Sequence, residues 1–329
     1  MGRSRKPGTE WLPQRVYKGK SAYEFHPKTG GAIRLVPLTA GKTAVIRAYD
    51  EALAQLEMSQ GTFKELVQQF LASPAFEELA ISTQKKYQQN ARQVLKPFGK
   101  MQASNIKPEH IRQYMDLRGQ QAQVTANREH SFMSKVFSWA YERGKVAMNP
   151  CKGVRKFTEK ARERYISDAE YSAILACSDP IVQAVMEISY CCAARVGDVL
   201  KLKAHQLQEE GIYIQQGKTG KAQIKAWSPR LQSAINVAKS YQTTRSVTQV
   251  IANEQGQPLT YAAFRARWLK AKTLAKETHP NLNFEFTFHD IKAKSISDWD
   301  GDKQRFSGHK SPQMVETYDR KTEVVGTHE

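Results

Sequence analysis

The chain has 329 residues, enough for two or three compact domains, and 40% of them are hydrophobic, so a real core can be buried. Lys and Arg number 50 against 32 Asp and Glu, a net charge of +18. That excess points to a polyanion, nucleic acid ahead of an anionic membrane, with a merely basic soluble or ribosomal protein as the plain alternative. No apolar run reaches the roughly 18 residues of a membrane span, and the basic start of the chain lacks the apolar stretch of a signal peptide. The cysteines Cys151, Cys177, Cys191 and Cys192 have neither disulfide-framework nor zinc spacing, so an intracellular protein is expected.

Up to about residue 55, short alternating runs around Val16, Tyr17, Tyr23, Phe25, Ile33 and Leu35 are punctuated by Gly19, Gly30 and Gly31. That is the pattern of a small strand-rich module with hairpin turns. A basic tail, Arg3, Arg5 and Lys6, precedes it and can lie along phosphates. The stretch "TAVIRAYDEALAQLEM" then predicts a helix with Val45, Ile46, Tyr49, Leu53 and Leu56 on one face.

From Thr62 to about Asn149 the apolar period is helical. The first helix buries Phe63, Leu66, Val67 and Phe70. The second is capped by Ser82 or Thr83, with Tyr87, Ala91, Val94 and Leu95 inward. The third starts at Pro108 and ends at Gly119, and the fourth buries Phe132, Val136, Phe137 and Ala140 and closes at Gly144. Lys and Arg lie on the outer faces of this four-helix unit. Among them Lys85, Lys86, Arg128 and Lys135 are the candidates for DNA contact.

The polar, charged stretch from Asn149 to Tyr165 is broken by Pro150 and Gly153 and reads as a linker. Ser167 and Glu170 form a capping box. Asp179 caps a long apolar helix that carries Arg195 near its end. The stretch "GIYIQQGKTGKAQIKAWS" predicts a β-hairpin with a lysine-bearing turn. In "TYAAFRARWLKAKTLAK", Phe264, Trp268 and Leu274 face inward.

Several polar residues in this last part stand out. An arginine at the end of an apolar helix is costly unless it is paired or aimed into a polar site. Asp198 follows Arg195 at helical spacing and could hold it, which would also make a purely structural pair. Lys218 lies in the hairpin turn, with Lys221 as its competitor. His289 and Lys292 share one helical face, His309 follows Gly308, and Tyr318 comes nine positions later in a polar setting. Each is weak alone, and an exposed surface tyrosine is common. Their order is informative, because all of them serve attack by a tyrosine on a DNA phosphodiester. A phenol ionises near pH 10, so it needs a proton acceptor or nearby cations. Fixed Arg, Lys and His donors can stabilise the growing charge on phosphate without a metal. A positioned lysine can protonate the leaving 5′-oxygen.

With "AARVGDVLKL", "GKTGKAQIKAW", "FHDIKAK" and "SGHKSPQMVETYDRK" in this order, the chain resembles the tyrosine recombinases, and among them the phage integrases of three-domain, lambda type. The resemblance implies a mainly α fold with small β elements (α+β). It would comprise an arm-type DNA-binding domain with a linker helix (1–58), a helical core-binding domain (59–150), a linker (151–164) and a catalytic domain (165–329). By position it implies Arg195 as the first phosphate-binding arginine, Lys218 as general acid and His289 as phosphate holder or proton carrier. His309 would hydrogen-bond the phosphate, Tyr318 would be the nucleophile, and Asp198 would support Arg195. It also implies double-stranded attachment-site DNA as substrate, a homotetramer on DNA, a host DNA-bending protein and an excision factor as partners, and no cofactor. The tail after Tyr318 would pack on a neighbouring subunit, and the protein would act in a bacterial host's cytoplasm. One departure is Lys292, where the family has arginine. An ammonium keeps the charge and loses the bidentate fork. Lys292 is expected to bind the scissile phosphate all the same, and Lys292→Arg to leave or raise cleavage. A DNA-binding protein that has lost catalysis and a type IB topoisomerase-like nicking-closing enzyme are the alternatives.

Overall fold

The computed structural model describes residues 8–27, 31–59 (55–59 by backbone only), 61–244, 246, 248–322 and 325–327. Arg3, Arg5 and Lys6 lie outside the described residues. Two compact units are present, Met1–Glu159 and Lys160–Glu329.

In the first unit, β1 (Val16–Lys18), β2 (Ala22–Phe25) and β3 (Ile33–Pro37) form an antiparallel sheet in that order. The hairpin between β1 and β2 is closed by Gly19 N donating to Ala22 O at 2.9 Å. Helix α1 (Lys42–Ser59) lies against β3, and Leu12, Val16, Tyr23, Phe25, Val45 and Ala52 make a small core. Val45 is buried as expected and the inner stripe continues through Ala52, but Ile46 is 44% exposed, and the side chain of Leu56 lies outside the described residues.

Helix α2 (Phe63–Leu71) is capped by Thr62 Oγ1, which accepts from Glu65 N at 3.3 Å, and buries Phe63, Leu66, Val67 and Phe70. After α3 (Pro74–Glu77), helix α4 (Ile81–Phe98) starts behind Ala80 with no side-chain cap, so Ser82 and Thr83 sit inside its first turn rather than capping it. Helix α5 (Pro108–Tyr141) does not stop at Gly119; it continues through a kink at Ala122. Gly119 is there for packing, because a Cβ on it would come within 2.3 Å of the Phe157 ring. The core of this part joins α2, α4 and α5, with Phe63 stacked on Phe137 at 5.0 Å.

In the second unit, α6 (Asp168–Ala176) opens with the Ser167–Glu170 capping box. Helix α7 (Pro180–Cys192) is capped by Asp179 Oδ1, which accepts from Val182 N at 3.0 Å. Ile181, Val182, Val185, Met186 and Ile188 are fully buried on α7, each worth about 1.5–3 kcal/mol of apolar burial. The remaining elements are α8 (Val196–Val199), the antiparallel hairpin β4 (Gly211–Gln215) and β5 (Ala222–Ala226), α9 (Pro229–Ser240), α10 (Tyr261–Thr278), α11 (Asp290–Asp298), α12 (Lys303–Ser307) and α13 (Pro312–Glu316). Helices α9 and α11 pack on α7. On α10 the buried face is Phe264, Trp268, Ala271 and Ala275, and Leu274 is 42% exposed rather than inward.

Candidate active site

Helix α7 ends where Ala193 enters the left-handed region (φ 48°, ψ 37°), a conformation that costs a non-glycine residue energy. That turn releases Arg195 from the apolar helix and sets it at the first position before α8. Arg195 is therefore not on the long helix expected from the sequence. Its guanidinium donates to Gln216 Oε1 at 2.9 Å. Asp198 does not hold it; Asp198 Oδ1 accepts instead from Gly217 N at 3.0 Å and ties the hairpin turn to α8.

Gln216 is the connector that sequence reasoning missed. It is 7% exposed, and its Nε2 donates to Ser307 O at 2.9 Å. The signal was strand parity: Ile212 and Ile214 face inward, and Gln216 is the next residue on that side. Ser307 Oγ lies 2.9 Å from His309 Nδ1. Between them Gly308 has φ 66°, and a Cβ there would meet Gln216 and Gln223 at 2.8 and 2.7 Å. The left-handed φ favours glycine there, and a side chain would push on both amides.

His309 is 7% exposed, and its ring stacks on Tyr318 at 4.8 Å and 27°. Burial, with Lys292 and Arg195 nearby, lowers its pKa to about 4. The imidazole is thus neutral, and its Nε2 has no hydrogen-bond partner within the protein. His289 precedes α11, and its Nε2 is 3.1 Å from Tyr318 Oη. Its pKa is lowered too. Packing around the ring is the main cause, Asp290 pulls the other way, and Arg195, Lys292 and Arg320 add to the lowering. One face of His289 stays open to solvent. A neutral imidazole beside a phenol can accept its proton.

Lys292 lies one turn into α11. It is 1% exposed, its Nζ has no hydrogen-bond partner, and that nitrogen is 5.9 Å from the centre of the Tyr318 ring. Tyr318 itself is half-buried and is held by its neighbours. Ser297 Oγ donates to Tyr318 O at 3.1 Å and accepts from Arg320 N at 2.7 Å. Lys303 pairs with Asp319 at 2.6 Å, and the buried pair Arg320–Asp290 closes at 2.7 Å. Asp290 directly follows His289, so this clasp joins the acceptor and the phenol. Arg320 stood in the sequence as mere polar setting; its two-residue offset from Tyr318 was the available clue.

Arg195, His289, Lys292, His309 and Tyr318 therefore come together in one subunit. Lys218 does not join them by any contact: it is exposed in the turn, with no hydrogen bond or ion pair among the described residues, and Lys221 is exposed as well. Lys225 on β5 is the hairpin lysine nearer the cluster. Its Nζ donates to Phe306 O and lies 4.8 Å from the Phe306 ring centre. A groove lined by Tyr190, Lys225, Trp299 and Phe306 runs beside β5, but Arg195, His289, Lys292, His309 and Tyr318 do not line it. In the first unit Lys85, Lys86 and Lys135 are exposed, whereas Arg128 carries its own counter-ion, Glu159, at 2.8 Å. No group of three or more His, Cys, Asp and Glu among the described residues is arranged to hold a metal ion, and no helix among them is long and apolar enough to cross a membrane.

Residues 158–324 match the family model described as the phage integrase family, and residues 63–157 match the phage integrase central domain. The chain belongs to the phage integrase family. This integrase-family chain is 27% identical over 211 residues to the integrase of Escherichia phage HK022, an alignment spanning 59% of this chain and 57% of that one. It is 26% identical over 213 residues to the integrase of Enterobacteria phage 434, covering 59% and 58%. The alignments thus span less than two thirds of these relatives' length. Among solved structures, a lambda integrase dimer bound to a COC′ core site superposes with a TM-score of 0.69 at 19% identity, covering 99% of both chains. The Tn1549 transposon integrase (residues 82–397) in complex with circular intermediate DNA gives 0.63 at 13% identity, covering 78% and 94%. The mainly helical fold with small β elements is shared with both.

Proposed function

We propose that this integrase-family protein is a site-specific DNA recombinase that cuts and rejoins attachment-site DNA through a 3′-phosphotyrosine at Tyr318. The observation that carries the reading is the Tyr318 hydroxyl lying 3.1 Å from a neutral His289, beside two buried nitrogens, Lys292 Nζ and His309 Nε2, that lack protein partners. Unsatisfied buried donors are rare and call for a missing anion. A phosphodiester supplies it.

In the reaction, Tyr318 Oη attacks phosphorus while its proton moves to His289 Nε2. Arg195, Lys292 and His309 take the charge that grows on the non-bridging oxygens, each such donor worth about 2.7–4 kcal/mol in comparable sites. Lys218, on a turn tethered by Asp198, comes to the leaving 5′-oxygen when DNA is bound. The phosphotyrosine keeps the phosphodiester's energy, so a second 5′-hydroxyl reverses the step without ATP. Residues 63–157 would grip the core site and the amino-terminal sheet a second, arm site. Four protomers would act on two duplexes, assisted by a host DNA-bending protein and an excision factor.

The test is a nicked duplex carrying the element's own attachment site. The wild-type chain traps a covalent adduct, in chelator as in its absence; Tyr318→Phe traps none, and the adducted peptide contains Tyr318. Loss of the adduct in chelator, or an adduct that survives in Tyr318→Phe, overturns the proposal. A nicking-closing enzyme would share this chemistry, but relaxation needs no second DNA-binding module such as the amino-terminal sheet.

A further inference from the structure

Lys292 is a buried amine whose nitrogen has no hydrogen-bond partner. Its helix offers His289, one turn back. From the start of α8 it faces Arg195 and Asp198, from β5 Lys225, and from the carboxyl-terminal segment Tyr318 and His309. Cys192, at the end of α7, lies beside Lys225. Two of these neighbours, Arg195 and Lys225, are cations. The single carboxylate, Asp198, already spends Oδ1 on Gly217 N. An ammonium in that position, 1% exposed and with no hydrogen-bond partner, loses its hydration and gains only the pull of Asp198, whose buried Oδ2 makes no hydrogen bond.

We propose that Lys292 is neutral in the DNA-free protein and takes up one proton from solvent as the scissile phosphodiester enters, so that the phosphate clamp is completed only on the substrate and weakens as pH rises. The inference rests on the recombinase reading and deepens it. Burial, then Arg195 and Lys225, bring the Lys292 pKa down to about 7 against the pull of Asp198, so the free amine is a major species at physiological pH. A phosphodiester brings the missing negative charge, which favours the protonated form. By linkage, whatever raises the pKa on binding makes binding stronger at low pH. Arginine cannot do this, since it stays charged at every accessible pH. Lysine here is thus a different device from the fork it replaces: without DNA, the site holds one fewer repelling cation beside Arg195 and Lys225.

Above the free-state pKa, each further pH unit removes about tenfold of the protonated, phosphate-ready form until the bound-state pKa is reached. The other groups of the site are common to wild type and Lys292→Arg. The ratio of their adduct rates on the nicked attachment-site duplex, from pH 6 to 9.5, therefore isolates Lys292. That ratio is expected to fall about tenfold per pH unit above neutrality; a ratio flat with pH overturns the proposal. Calorimetry of Tyr318→Phe with the same duplex in two buffers of different ionisation heat, at pH 8, should register close to one proton taken up per site, and the added Lys292→Arg change should remove it. No proton uptake overturns it. If wild type forms no adduct at any pH, the recombinase reading fails by itself, and Lys292 is still judged by lysine ε-carbon NMR of the full wild-type chain. A resonance titrating near neutrality that Lys292→Arg removes supports the inference; no such resonance, or one that survives in Lys292→Arg, overturns it.

Discussion

Lys292 and Lys294 stand two residues apart on α11, and both are shut away from water, at 1% and 2% exposure. Their surroundings are opposite. Lys294 Nζ is shared between Asp168 at 2.6 Å, Asp298 at 2.9 Å and Tyr165 Oη at 3.1 Å. Burial alone would lower its pKa, yet these hydrogen bonds outweigh burial and hold it above the ordinary lysine value. Lys292 has no such partner, and its pKa falls. Side chains two apart on a helix point in different directions, so one faces the packed boundary with α6 and the other the Tyr318 cluster. The paired lysine is a structural element. The unpaired one can be charged there at little cost only beside an incoming anion, and that is the physical signature of a binding site.

The sharpest way to break this contrast is to remove each charge with a side chain of similar length. Lys294→Met leaves Asp298 partly buried without its cation, and should cost about 3–5 kcal/mol of stability in urea unfolding. Adduct formation per folded molecule should stay near wild type. A loss under about 1 kcal/mol would remove the structural role assigned to Lys294. Lys292→Met should do the reverse. Removing an unpaired buried amine should leave stability equal or raised, while adduct formation falls on the order of 10²–10³-fold. Equal damage to folding in both variants would erase the distinction between the two sites.

None of this contrast is visible in "HDIKAKSISD". The sequence marks Lys292 by its place after His289 but does not say which lysine is paired, because pairing depends on residues as far as 126 positions away, as for Asp168 with Lys294. What the sequence did carry was local: the order of Arg195, the hairpin lysine, His289 with a cation, Gly308-His309 and Tyr318, together with the caps at Ser167 and Asp179. The mainly helical class and the β-hairpin followed from periodicity. The break at Ala193 did not, since an apolar run has the same period on both sides of a left-handed residue. The partner of Asp198 was misread for a related reason: helical spacing suggested Arg195, but α8 is only one turn long and the hairpin turn competes for the carboxylate. Gly119 looked like a helix end because the ring that needs its missing Cβ, Phe157, is 38 positions downstream.

A pH titration of stability separates the two lysines without any DNA. Lys292 has a folded pKa of about 7, below the unfolded value near 10.4, so between those limits the unfolded chain binds more protons and stability rises with pH. Lys294 is shifted upward, so its contribution is complete below the unfolded pKa and is lost only at higher pH, as pH passes its folded value. From pH 7 to 8.5, wild type should gain about 1–2 kcal/mol relative to Lys292→Met, read as the difference in urea unfolding free energy. A constant difference across that window would mean that Lys292 stays protonated in the folded protein.

The smallest expected effect asks whether the unsatisfied side of the contrast extends to His309. Its Nδ1 is engaged by Ser307 Oγ at 2.9 Å, and its Nε2 is left without a partner. If the hydroxyl turns from Gln304 O, its 3.4 Å acceptor, to donate to Nδ1, the ring proton must sit on Nε2, where it can reach a phosphate oxygen. Ser307→Ala frees the ring to hold its proton on either nitrogen, and only one tautomer is useful. The loss is that of one neutral hydrogen bond, about 0.5–1.5 kcal/mol, or roughly 2- to 13-fold in adduct rate. Because the proton on His309 is placed rather than added, the pH profile should keep its shape while the rate drops. A changed shape would mean that Ser307 acts on the charge state of the ring rather than on its tautomer.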